Sequence, residues 1–72
     1  MRRVQITQTQ HELLEPRDGE EVLVCTFRAL NEDWLVDFEE NYYTLADLET
    51  ITTELRRLYN ATNNQTDTEA KK

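Results

Sequence analysis

The chain has one cysteine, one histidine, one glycine and one proline. A lone Cys25 forms no internal disulfide, and a lone His11 builds no Cys/His zinc site. One unpaired Cys within an apolar run fits a reducing, intracellular setting. Residues 1–20 hold no apolar run of signal-peptide length, and nothing approaches the length of a membrane span. The expectation is a soluble, cytoplasmic protein with no membrane partner. A chain of 72 residues is one domain at most. Its core is small, so without disulfide or metal it depends on good packing, self-association or a partner.

Basic residues are the other scarcity. No Lys or Arg lies between Arg28 and Arg56, but eight acids do: Glu32, Asp33, Asp37, Glu39, Glu40, Asp47, Glu49 and Glu54. This stretch more than accounts for the net charge of -7. It runs through the segments expected to be best ordered, so it is not an acidic tail. A folded body with such a field suits a basic partner and repels nucleic acid and anionic membranes. Direct nucleic-acid binding would fall to Arg2, Arg3, Arg56, Arg57, Lys71 and Lys72. These are few and split between the termini.

What is present reads as three strands and a helix. Val4-Gln5-Ile6-Thr7-Gln8-Thr9-Gln10 alternates weakly and suggests an edge strand, extended by His11 to Glu15. Pro16-Arg17-Asp18-Gly19 is a turn: Pro pre-sets φ, Asp accepts local hydrogen bonds and Gly is unrestricted. Val22 to Phe27 is rich in β-branched and aromatic residues and apolar on both faces, as a central strand would be. Asn31-Glu32-Asp33 has hairpin length. Trp34 to Phe38 is the third strand, with Trp34, Val36 and Phe38 on one face. Thr44 is an N-cap, with Asp47 where a capping box has Glu or Gln. Leu45, Leu48, Ile51, Leu55 and Leu58 then recur at helical spacing. Asn60 is read as the stop, and the polar residues 61–72 as a disordered tail.

The expected architecture is therefore α+β: a three-stranded antiparallel meander over residues 1–60, with one C-terminal amphipathic helix on one sheet face. The helix should cover Leu23, Cys25, Phe27, Trp34, Val36 and Phe38. Val22, Val24 and Leu35 should form an uncovered apolar face, a possible homodimer or accessory-subunit contact.

For chemistry the residues offer little. Cys25 has no cationic neighbour and reads as a buried, inert thiol. The acids fail the Ca²⁺-loop pattern, which needs a central Gly and alternating acids. No cofactor is implied and no enzyme is expected. The binding candidates are Glu32, Asp33, Asp37, Glu39, Glu40, Asp47 and Glu49, with Tyr42 and Tyr43 beside them. Adjacent tyrosines point different ways, so one should pack at the helix entrance and the other stay exposed. Asp37 and Glu39, two apart on a strand, would lie about 7 Å from each other, near the phosphate spacing of one DNA strand. The expected function is a small acidic binding protein that blocks a basic, nucleic-acid-binding surface of a larger protein. Phages and mobile elements encode many compact acidic inhibitors of this kind.

Overall fold

The computed structural model describes residues 1–62 with their side chains, and helical backbone on to Ala70. Four strands and one helix follow in order: β1 Arg2–Thr7, β2 Gln10–Arg17, β3 Glu20–Leu30, β4 Asp33–Phe38 and α1 Leu45–Ala70. The strands form one antiparallel sheet in the order β1-β2-β3-β4. The α+β class and the meander-then-helix order are as the sequence implies, with one more strand than expected.

The extra strand arises because residues 4–15 do not run straight. They double back at Gln8-Thr9, a turn without Gly, Asn or Asp. A local bond stands in for turn chemistry: Thr9 N–H donates to Thr7 Oγ1 at 3.2 Å. The register also slips between Gln5 and Thr7, leaving Ile6 as a bulge. The other two turns are legible. Asp18 and Gly19 both have positive φ, 51° and 81°, as a two-residue hairpin turn with primed geometry requires. Pro16 lies just before it, paired with Glu21 in the sheet. Asn31, φ 57°, opens the β3–β4 turn in the left-handed region that Asn tolerates.

A second bulge decides which side chains enter the core. Leu13 pairs with Cys25, but Leu14 pairs with Leu23, so Val24 is an extra residue in β3. Below this point the alternation of β3 is displaced by one. Register places Leu23 with Leu14 on the open face and Val22 with Glu15 on the helix side. Val24 is 0% exposed and joins the cluster of Leu13, Cys25, Phe27, Trp34, Ile51 and Leu58. This corrects the expected face. Of Val22, Val24 and Leu35, only Leu35, 50% exposed, lies on the open side. Phe38, expected under the helix, is 52% exposed at the end of β4.

His11 belongs to the core as well. It pairs with Phe27, is buried, and meets the Trp34 ring edge-on at 5.5 Å. Its Nδ1 faces Arg3 Nη1 at 3.0 Å, so it accepts from the guanidinium. Burial, then the Arg3 charge, lowers its pKa, and the imidazole is neutral at pH 7.

The helix begins where Thr44 predicts. Thr44 N–H donates to Asp47 Oδ2 and Asp47 N–H to Thr44 Oγ1, both at 3.1 Å, a reciprocal capping box closed by Asp. It does not stop at Asn60. Trp34 Nε1–H donates to Thr62 Oγ1 at 3.1 Å, and that hydroxyl donates to Leu58 O. The indole of β4 thus holds the next helical turn. Helical backbone runs on to Ala70, through most of the residues 61–72 expected as a disordered tail, and residues 71 and 72 lie outside the described residues. Among the described residues no helix is long and apolar enough to cross a membrane.

Candidate functional site

The acids of the basic-free stretch are divided among separate places. Glu32 is in the β3–β4 turn and Asp33 opens β4, where Asp33 Oδ1 accepts from Trp34 N–H at 2.8 Å. Asp37 projects on the open face, 3.7 Å from Arg28 Nε. Glu39 and Glu40 lie beyond the other end of β4, in the connection to α1. Asp37 and Glu39 are therefore not two steps along one strand.

The connection at 39–44 is anchored by Tyr43. Its hydroxyl donates to Val24 O at 2.7 Å and accepts from Glu39 N–H and Glu40 N–H at 3.1 and 2.9 Å. Its ring meets Phe38 edge-on at 5.2 Å. The bulged Val24 carbonyl also takes the Glu39 N–H, at 3.3 Å. Tyr43, expected among the contact residues, is thus spent on the chain's own backbone. Tyr42 turns the other way and is 89% exposed.

Several acids are neutralised in place. Arg17 forks onto Glu40 at 2.6 and 2.9 Å and also reaches Glu15 at 2.9 Å. These two hydrogen-bonded carboxylates, Glu40 first, raise the guanidinium pKa. Glu54 is held by Arg3 and Arg57, both at 2.9 Å. Asp47 is committed to the helix cap. Glu32, Glu39 and Glu49 make no ion pair among the described residues.

Two of these acids, Glu39 and Glu49, lie on the segments that carry the exposed apolar side chains. Leu45 is 74% exposed, and Phe38 and Leu48 are partly exposed with it. Sequence periodicity assigned Leu45 and Leu48 to the buried stripe. In the structure Ile51 and Leu58 are buried, Leu55 packs on the core, and Leu45 and Leu48 stay exposed. At the far end, a groove of about 400 Å³ separates α1 from the start of β4, lined by Asp33, Thr52, Leu55, Arg56, Tyr59 and Asn60.

The chemistry available in the interior is inert. Cys25 is fully enclosed, and its thiol pKa is pushed up to about 11, by burial first and by the Glu39 charge second. Among the described residues no group of three or more His, Cys, Asp or Glu is placed to hold a metal ion. In comparisons with family models, curated proteins and solved structures, no match to this chain was found.

Proposed function

We propose that this is a non-enzymatic binding module of the cytoplasm that occupies a surface of a larger protein which is both basic and apolar. The observation that carries this reading is the helix entrance. Tyr42 stands almost wholly in solvent on the same stretch of chain as exposed Phe38, Leu45 and Leu48, and the unpaired charges of that stretch, Glu39 and Glu49, are negative. Exposed aromatics anchor interfaces, and like-signed charges around them steer association. The net charge of -7 adds long-range attraction to a basic partner. Action by obstruction, as in the compact acidic inhibitors of phages and mobile elements, fits a body this small. Close imitation of a phosphate row is not part of the proposal, since Asp37 and Glu40 are paired with Arg28 and Arg17.

The test is capture from the natural host with tagged protein, washed at low and high salt, in two forms. One is wild type, and the other carries Glu39→Lys, Tyr42→Ala and Glu49→Lys. A stoichiometric partner held by wild type and lost from the variant is the expected result. Equal yield from both forms removes the helix entrance as the site.

A further inference from the structure

The two outer strands of the sheet are not equally guarded. β1 carries a bulge at Ile6, and Arg2 and Arg3 are tied to Glu21 and Glu54. Bulges and edge charges are ordinary protection against strand addition. β4 has no bulge over its pairing with β3, and α1 packs against one side of it.

Hydrogen-bond parity shows what β4 offers. Glu39 N–H donates to Val24 O, so the adjacent pair Cys25–Phe38 is non-hydrogen-bonded. By alternation Asp33, Leu35 and Asp37 turn their backbone groups toward β3. Trp34, Val36 and Phe38 turn theirs outward. The outward Trp34 N–H is covered by Asp33 Oδ1. The amides of Val36 and Phe38 are left facing out.

The side chains of this edge are also sorted. Asp33, Leu35 and Asp37 alternate on the open face, and Trp34, Val36 and Phe38 on the face toward α1. Two copies of this chain are poorly matched here. Antiparallel self-pairing sets Asp33 opposite Asp37, or Asp33 opposite Glu39, or Asp37 opposite Asp37, according to register. Like charges directly opposite are destabilising. A strand with basic residues at the same places meets the acids instead, sharing Asp37 with Arg28, whose Nε lies 3.7 Å from it. Its apolar residues then lie beneath α1, next to the groove formed by Leu55 and Tyr59.

We propose that β4 accepts an extended segment of a partner protein as a fifth, antiparallel strand. The segment reads basic–apolar–any–apolar–basic, its basic residues opposite Asp37 and Asp33 and its apolar ones opposite Val36 and Trp34. Main-chain hydrogen bonds to Val36 and Phe38 hold it, and the alternating side chains select it. This deepens the reading of a basic, apolar partner and rests on it.

The probe is a synthetic capped peptide, Ser-Lys-Val-Thr-Val-Arg-Ser, added to the ¹⁵N-labelled full chain. Resonance shifts should map to 33–38 and to the α1 residues of the groove. At about 90% saturation, amide exchange of Val36 and Phe38 should slow about tenfold, the ratio of total to free protein. The same peptide N-methylated at both valines keeps charge and side chains but loses its donors toward β4, and should not bind. Asp37→Lys should weaken the parent peptide and favour one with Glu in place of its Lys. Equal binding of methylated and parent peptides overturns strand addition while leaving the helix-entrance site intact. No binding of either at low salt also overturns it, and the capture experiment then judges the broader function separately.

Discussion

The two faces of the sheet are built on different principles. The face under α1 is a closed apolar layer, where Leu13, Val24, Cys25 and Phe27 are completely enclosed. The open face is held by charge pairs, Arg2 with Glu21 and Arg28 with Asp37, around half-buried Val4, Leu14 and Leu23. Burial stabilises by area removed from water, and exposed ion pairs contribute little. The covered face should therefore carry the stability, and the open face should tolerate change.

The largest expected effect is on the covered face. Phe27→Ala should cost about 3–5 kcal/mol, comparable to the whole stability of a domain this small. Near-ultraviolet circular dichroism and thermal melting would show the loss. If Phe27→Ala melts within a few degrees of wild type, the division of labour is wrong. Tyr43→Phe comes next. It removes one donor and one acceptor shared by three backbone partners, and about 1–3 kcal/mol should go with them. Exchange of the Glu39 and Glu40 amides should rise at the same time. Thr44→Ala should cost about 1 kcal/mol through the cap alone, read from the urea midpoint at unchanged slope.

The covered face also has a pH signature. His11 is neutral in the native state with its pKa lowered from 6.5, whereas the unfolded chain binds a proton near 6.5. Stability from this group is complete above that pH and falls as pH drops below it, because the unfolded state takes up the proton. The loss between about pH 7.5 and about pH 5.5 should shrink in His11→Gln. An identical pH slope in both forms would remove His11 as the cause. The smallest effect belongs to the open face. An Arg28→Ala, Asp37→Ala double-mutant cycle should give a coupling below about 0.5 kcal/mol that vanishes in high salt.

Much of the frame was legible because its signals are local. The capping box needs only Thr44 and Asp47, and the hairpin turn needs only Asp18 and Gly19. The opposed directions of Tyr42 and Tyr43 follow from their adjacency. Features that rest on distant partners were not legible. The Gln8-Thr9 turn is made by a Thr side chain and a bulge, neither of which has a composition signal. Thr62 looks like tail until the Trp34 indole is seen to bond it. Val22, Val24 and Leu35 read as one face because strict alternation was assumed, and the Val24 bulge breaks it. The candidate site was legible as charge but not as arrangement. Pairing with Arg17, Arg3 and Arg28 decides which acids remain unpaired toward solvent, and pairing depends on the fold.

The extra residue at Val24 gives the chain an unusual response to changes of length. It lies outside the β2–β3 pairing, since Leu13 with Cys25 and Leu14 with Leu23 are matched on either side of it. Deleting it would leave those pairs in place, but would take away the carbonyl that gathers Glu39 and Tyr43. Glu39 N–H already continues the β3–β4 register through that carbonyl, so its loss would release the start of the connection to Thr44. The start of the sheet-to-helix connection is thus held from β3, by a residue that lies outside the connection itself.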